Sequence, residues 1–295
     1  MNRLTIGLIA ALGVVTVAFS VLWTMALRRD PEARRPTALE LFIGFVTDFF
    51  DTLGIGSFAP TTSVFKLFKI LPDENIPGAL NVGHAIPTFA EAFIFMTIVK
   101  IDGATLALMI LASVVGAWLG AGVVTSWPRR RIQIGMAVAL LCAGGFFLMK
   151  NLGLFPPGGD TLALTGSKLA IGLAVNFVLG ALMTLGIGAY APCMILVSLL
   201  GMNPGAAFPI MMGSCAFLMP TAAIAFVRKK RYGPGPSLGL TLGGVPGVLL
   251  AAYVFSKLSV TALRWGVIAV VLYTAVMMLR SAFAPSPSAL SPEKA

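Results

Sequence analysis

Charged residues, histidine and cysteine are all scarce in this sequence. Only 11% of its residues are charged, it has one histidine, and its three cysteines, Cys142, Cys193 and Cys215, include no CxxC pair. An odd number of cysteines in apolar surroundings indicates neither a disulfide framework nor a zinc site. We therefore expect the cysteines to pack as small hydrophobic residues, and we expect neither a metal ion nor a cofactor.

The sequence also lacks the motifs that identify common enzymes and pumps. It contains no HExxH, no GxSxG and no P-loop, and no nucleophile stands at a recognisable spacing from a base. These absences argue against an intramembrane enzyme and against an ATP-driven pump on this chain. The net charge of +10 does not indicate nucleic-acid binding, because the basic residues form short clusters between apolar runs, which is typical of membrane topology.

Hydrophobic sequence, by contrast, is abundant. Hydrophobic residues make up 58% of the 295 residues, more than a soluble domain of this size can bury, so the chain is predicted to be an all-helical integral membrane protein. The stretches long enough to cross a bilayer are residues 4–27, 79–99, 104–126, 132–149, 206–227, 237–256 and 262–279. Two further apolar stretches, 41–71 and 169–202, are too long for one ordinary span and are broken near the middle.

Both broken stretches contain nearly the same phrase. TLGIGSFAP at 52–60 returns as TLGIGAYAP at 184–192, and a Pro-Thr pair follows each copy at 87–88 and 220–221. A fixed internal period indicates a repeat architecture, and an apolar unit interrupted by glycine and proline is typical of transporters whose broken helices meet at a central site. The predicted divisions are an N-terminal transmembrane helix with a basic linker (1–36), repeat 1 (37–158), repeat 2 (159–281) and a disordered tail (282–295).

The distribution of charge predicts the topology. If both broken stretches are hairpins that enter and leave on one side, most of the 21 Lys and Arg residues fall on one face, which the positive-inside rule makes cytoplasmic. Each repeat then has three transmembrane helices plus one re-entrant hairpin, so the second copy is inverted relative to the first. We expect a multi-pass protein of the bacterial inner membrane, with its N-terminus outside and its C-terminus in the cytoplasm. Full crossing of both broken stretches, and cleavage of the first helix as a signal peptide, are the alternatives.

The two LGIG phrases form the predicted substrate site. Glycine allows a sharp turn, proline suits the first turn of a half-helix, and unwound backbone at membrane depth must be buried or line a watery cavity. Two half-helix N-termini would direct partial positive charge at that cavity and bind an anion. The alternatives are that the glycines only allow close packing, and that the polar residues of the following spans cap kinks. The candidate substrate-binding residues are Gly54, Gly56, Ser57, Asn81, Gly186, Gly188, Ala189, Tyr190 and Ser214.

Four ionisable residues, Asp48, Asp51, His84 and Glu91, lie within apolar sequence, where such groups are costly. They belong to repeat 1 only, which suits a coupling site rather than a symmetric substrate site. We expect His84 and Glu91 to exchange a proton during transport, because imidazole titrates near neutral pH. The alternatives are an interior hydrogen-bonded pair, Asp48 and Asp51 lying at the cytoplasmic mouth, or a proton- or cation-coupled carrier of a different solute that uses Asp48, Asp51 and Glu91 as ligands.

These motifs resemble those of the TauE/SafE sulfite and organosulfonate exporter family. The resemblance extends over residues 41–279, and it is closest in the run GIGAYAPCMILVSLLGMNPGAAFPIMMGSCAF at 186–217. It implies a secondary transporter that exports a small anion, such as sulfite or a sulfonate, from the cytoplasm. The expected partners are that anion, membrane lipid and a coupling proton.

Overall fold

The computed structural model describes residues 3–30, 33–186, 188–254 and 261–283. Most of the predicted tail (282–295) and the end of the predicted span at 237–256 lie outside these residues. Within the described ranges the chain forms twelve α-helices and two short 3-10 turns. The helices are α1 (Arg3–Arg29), α2 (Ala38–Thr52), α3 (Phe58–Leu67), α4 (Ile76–Gly83), α5 (Ala85–Ile98), α6 (Gly103–Val124), α7 (Arg129–Asn151), α8 (Gly166–Met183), α9 (Tyr190–Leu199), α10 (Ala207–Arg228), α11 (Pro234–Val254) and α12 (Thr261–Phe283).

Six helical segments of the described chain are long and apolar enough to cross a membrane. They are α1, α6, α7, α8, α11, and α10 with the 3-10 turn before it. This finding confirms the prediction of an all-helical protein with several membrane spans. Large apolar side chains point outward, for example Trp118 on α6 and Val17 on α1, as expected where a helix meets lipid.

The structure corrects the prediction of one uninterrupted helix over residues 79–99. Helix α4, together with the 3-10 turn before it, meets α5 at an angle of 41°, and the break falls at His84. Pro87 causes this break, because it has no N–H to donate to the carbonyl of Gly83, four residues earlier. The Thr241 hydroxyl of α11 donates to that carbonyl instead, at 2.7 Å.

Both LGIG phrases break the helical path as predicted. In the first copy α2 ends at Thr52 and α3 begins at Phe58, with Gly54 and Gly56 at positive φ between them. In the second copy Gly186 also has positive φ, a conformation that side-chain-bearing residues rarely adopt. Helices α3 and α9 that follow have 10 residues each, about 15 Å at 1.5 Å per residue, and are too short to cross a bilayer. The helices that precede the two phrases differ, since α8 is long and apolar enough to cross a membrane and α2 is not.

The helices of the two halves pack against each other in matching pairs. The most extensive helix contacts join α2 to α11, α6 to α8, and α7 to α12. Glycines allow the close approach: an added Cβ on Gly243 of α11 would overlap the Leu41 carbonyl, and one on Gly116 of α6 would overlap the Phe177 carbonyl. Each helix that leads into an LGIG phrase therefore packs against a helix of the other half.

The end of α3 lies at the face of the bundle that carries Lys66 and Arg129, and we call it the basic face. Asp73, just before α4, accepts hydrogen bonds from Lys66 Nζ at 2.6 Å and from Gln133 Nε2 of α7 at 2.7 Å. Leu71 packs against the backbone of Gly233, between α10 and α11. The ends of α3 and α10 and the starts of α4, α7 and α11 therefore meet at this face.

The start of α2 lies at the same face. A capping box begins α2, with Thr37 as the N-cap and Glu40 three residues later, and Glu40 also accepts two hydrogen bonds from Arg34. Arg34 lies against Gly235 of α11, and the Tyr232 hydroxyl lies 3.4 Å from a carboxylate oxygen of Asp30. Helix α2 thus begins, and α3 ends, at the basic face.

The second broken stretch begins and ends at the opposite face. The Asp102 N–H donates to the Leu162 carbonyl just before α6, and the Thr161 hydroxyl donates to the Gly201 carbonyl at 2.8 Å. Residues 161–165 lead into α8, and Gly201 follows α9. Helix α6 runs from this face to the basic face, where α7 begins.

Candidate functional site

Both LGIG phrases border one small internal cavity. Its volume is about 20 Å³, slightly more than the roughly 10–15 Å³ that one water requires. The first phrase and its flanks contribute Asp51, Gly56, Ser57 and Phe58, and the second contributes Met183, Gly188, Ala189 and Tyr190. The remaining lining residues are Thr88, Met211, Met212, Cys215 and Met219. A space of this size holds little more than one water, so binding of a larger solute requires the surrounding helices to move apart.

The N-termini of α3 and α9 both lie at this cavity. Each helix begins at a lining residue, Phe58 or Tyr190, and in neither helix does the N-cap side chain accept a hydrogen bond from the first turn. The first N–H groups of a helix lack partners within the helix, and they carry partial positive charge. The two helix starts therefore direct donors toward the same small space.

The wall contributed by the end of α2 and the start of α3 is acidic. The Ser57 hydroxyl donates to Asp51 Oδ2 at 2.6 Å, and both residues line the cavity. This bond connects the last turn of α2 with the start of α3 across the LGIG phrase. We call this side of the cavity the acidic wall.

The wall contributed by α8 and α10 is formed by sulfur-containing side chains. Cys215 Sγ lies 3.4 Å from Met183 Sδ and 3.6 Å from Met211 Sδ, and Met219 borders the cavity one turn further along α10. Sequence reasoning missed this sulfur wall, because methionine in apolar sequence is ordinarily a packing residue. The available signal was the spacing of Met211, Cys215 and Met219 by four residues, which puts them on one face of a helix.

His84 lies behind the cavity and joins three elements. Its Nδ1 lies 2.8 Å from Asp48 Oδ1 on α2, and its Nε2 lies 3.0 Å from the Thr61 hydroxyl on α3. His84 and Asp48 are fully buried, and neither lines the cavity. The structure therefore pairs His84 with Asp48 and not with Glu91, which was its predicted proton-exchange partner.

Glu91 binds the last residue of α2. The Thr52 hydroxyl lies 2.7 Å from Glu91 Oε1 and 2.9 Å from the Asp48 carbonyl oxygen. A hydroxyl has one proton to donate, so if Thr52 donates to the Asp48 carbonyl, the bond to Glu91 requires a proton on the carboxyl group. Among the described residues, no group pairs with the second carboxylate oxygens of Asp48 and Glu91. The geometry therefore suits a neutral, proton-carrying Glu91.

Four of the predicted substrate-binding residues do not border the cavity. Asn81 donates to the Pro77 carbonyl of its own helix at 2.9 Å, and Ser214 lies 3.2 Å from Asn176 Nδ2. The Asn81 contact fits the alternative in which this residue stabilises its own helix, whereas the Ser214 contact joins α10 to α8. Gly54 and Gly186 form the turns of the two phrases, with the ring of Tyr190 packed over Gly54.

Lys150, at the end of α7, is a charged neighbour of the site that sequence reasoning treated only as a topology signal. Its Nζ lies 3.5 Å from the Tyr190 hydroxyl and 4.8 Å from the centre of the Tyr190 ring. A lysine in the last turn of a helix is common, because it offsets the negative end of the helix dipole, so its sequence position gave no special signal. The ammonium group lies against a side chain that lines the cavity.

Within the described parts of the chain, no three His, Cys, Asp or Glu residues are grouped so that they could hold a metal ion. Comparisons of the chain with protein-family models, with curated proteins and with solved structures give no match.

Proposed function

We propose that this chain is a secondary transporter that moves a small solute across a membrane by alternating access. The observation that carries the proposal is that the N-termini of α3 and α9, reached from opposite faces, border one closed cavity. The chain forms two inverted repeats, residues 37–158 and 159–281. Each repeat has one re-entrant hairpin, which is α2 with α3 in the first and α8 with α9 in the second. Repeats of this kind exchange conformations when the outer and inner openings alternate.

The basic face is the cytoplasmic face of a bacterial inner membrane. Clustered Lys and Arg residues at one face follow the positive-inside rule. Helix α1 then starts outside and ends in the cytoplasm, and the C-terminus is cytoplasmic. This orientation follows from charge and from the position of the helix ends.

The solute is a small anion such as sulfite or a sulfonate, and transport is export. Support comes from the resemblance to the TauE/SafE family, from the two helix N-termini and from Lys150 beside the cavity. Asp51 in the same cavity would repel an anion when charged, so the anion enters together with a proton. Asp51, Glu91 and the His84–Asp48 pair are the proton-handling groups.

Anion flux in proteoliposomes with an imposed pH gradient tests this function. Sulfite, sulfoacetate and thiosulfate are compared in the wild type, in Gly188→Leu and in Gly145→Leu. An added Cβ meets nothing within 4 Å at either glycine, but only Gly188 borders the cavity. We expect one anion to move in the wild type and in Gly145→Leu, and none in Gly188→Leu. Failure of all three anions to move in folded wild-type protein would reject the proposed substrate class.

A second candidate is a proton- or cation-coupled carrier of a different solute. It is favoured by the acidic wall and by the unpaired carboxylate oxygens of Asp48 and Glu91. The sulfur wall adds thioether and thiol donors, which prefer soft cations. Driving the same liposomes with a sodium gradient in place of a pH gradient separates the cation-coupled form of this candidate from proton-coupled anion export.

A further inference from the structure

A second and larger space lies between α1, α6 and α10, on the other side of α10 from the central cavity. Its volume is about 690 Å³, and nearly all of its lining is apolar. Along α1 it extends from Leu8 to Ala26, which is about 27 Å at 1.5 Å per residue and close to the thickness of the hydrocarbon layer. Polar groups occur toward one end only, where Arg228 and Thr221 of α10 join the lining. We call this space the α1 groove.

The size of the α1 groove limits what can fill it. A spanning helix about 10 Å across and about 30 Å long occupies on the order of 2,000 Å³, so the groove can take up only part of such a helix. It is also too large to stay empty beside lipid, because its apolar lining would lose dispersion contacts on one side. A flexible hydrocarbon chain satisfies both limits.

The charged residues at one end of the groove indicate the chemistry of the group attached to this hydrocarbon chain. Arg228 lines the groove at the basic face, and α1 ends there with Arg28 and Arg29. The contact between Asp30 and Tyr232 holds this end of α1 beside the connection from α10 to α11. Arginine binds phosphate through two parallel hydrogen bonds, and basic clusters at the cytoplasmic ends of membrane helices attract anionic lipid.

We propose that the α1 groove is a binding site for one anionic phospholipid, with an acyl chain between α1 and α10 and its phosphate on Arg228. The site has a structural consequence for the central cavity. Helix α10 presents Phe217 and Ile224 to the groove, and it presents Met211 and Cys215 to the cavity on its other side. The bound lipid thus supports the helix that carries the sulfur wall.

Native mass spectrometry of the purified full chain tests this site with two probes of equal acyl chains, phosphatidylglycerol and phosphatidylethanolamine. Arg228→Gln removes the phosphate contact, and Lys229→Gln is its control, because Lys229 loses the same charge but does not line the groove. Ala18→Phe fills the groove, and Val17→Phe is its control, because Val17 is exposed on α1 and does not line it. Since all four positions are exposed, the variants are expected to fold.

We expect the wild type, Lys229→Gln and Val17→Phe to retain one phosphatidylglycerol in preference to phosphatidylethanolamine. Arg228→Gln should weaken phosphatidylglycerol binding roughly tenfold, the effect of losing about 1.4 kcal/mol of contact energy. Ala18→Phe should abolish retention of both lipids. Equal retention by all variants, or no preference for the anionic lipid in the wild type, would overturn the proposal. A dimer mass that disappears only in Ala18→Phe would identify a second copy of the chain as the occupant. Because binding is read directly, these outcomes do not depend on the solute that is transported.

Discussion

Asp51 and Met183 occupy matching positions, 132 residues apart in the duplicated sequence, and both line the central cavity. The first places a carboxylate there, and the second places a thioether. The glycines of the two phrases match across the cavity, but the chemistry of this pair does not. In the transporter proposed above, this difference separates two tasks, since the acidic wall handles protons while the N-termini of α3 and α9 face the solute.

Glu91→Gln tests whether Glu91 carries a proton. Glutamine has the shape of a protonated carboxyl group and can donate from its amide to the Thr52 hydroxyl, so we expect a stable protein. Transport should lose much of its dependence on pH, because this position can no longer release a proton. Flux measured between pH 5.5 and 8 is the readout, with an unchanged pH profile as the contrary result.

Breaking the His84–Asp48 pair should destabilise the fold. His84→Leu removes the only hydrogen-bond partner that the Asp48 carboxyl has among the described residues, and an unsatisfied buried group costs about 1–3 kcal/mol, more if it is charged. Adding Asp48→Leu removes the orphaned group and should recover part of the loss. Thermal unfolding in detergent measures His84→Leu, Asp48→Leu and the double variant. A double variant as unstable as the sum of the two single changes would contradict a direct interaction.

The glycines between the halves should not tolerate a methyl group. Gly243→Ala and Gly116→Ala would each press a Cβ into a carbonyl oxygen of the facing helix, and such overpacking costs about 1–3 kcal/mol. Gly122→Ala on α6 is the control, because an added Cβ meets nothing within 4 Å there. Alanine favours a helix by roughly 1 kcal/mol over glycine, so the control should unfold at the same temperature as the wild type or higher. Equal melting temperatures for Gly116→Ala and Gly122→Ala would argue against the close packing.

Lys150→Gln distinguishes the two candidate functions. Removal of the ammonium group beside Tyr190 should raise the KM for an anion several-fold and leave the folded state intact, because Lys150 is only half-buried. Lys100→Gln, an exposed lysine that does not contact Tyr190, is the control. If the solute is a cation, KM should fall in Lys150→Gln instead.

The parts of the structure that follow from local chemistry were predictable from the sequence. The LGIG breaks depend on glycines at positive φ and on the proline in the first turn of the next helix, and both are visible in the sequence. The break at His84 was not predicted. A proline alone does not predict such a break, because Pro220, which matches Pro87, lies inside the unbroken helix α10. What permits the bend is Thr241, which is distant in sequence and reaches the freed Gly83 carbonyl only in the folded protein.

Only part of the candidate site was predictable from the sequence. Gly56, Ser57, Gly188, Ala189 and Tyr190 border the cavity, because the duplicated phrase itself forms it. The pairing of His84 with Asp48 depends on how α2 packs against the bent α4–α5 segment, and no local pattern encodes that contact. The sulfur wall was missed for a similar reason, since its members come from α8 and α10 and resemble ordinary core residues.

The most direct test of alternating access is thiol labelling from each side of the membrane. Ser57→Cys and Ala189→Cys, one from each LGIG phrase, are made in a background without Cys142, Cys193 and Cys215, and a membrane-impermeant maleimide is applied to sealed vesicles of either orientation. One shared cavity that opens alternately predicts that both positions label from both sides and that a transported solute protects both. Labelling of Ser57→Cys from one side only and of Ala189→Cys only from the other would show two separate pockets, and would contradict a single central site.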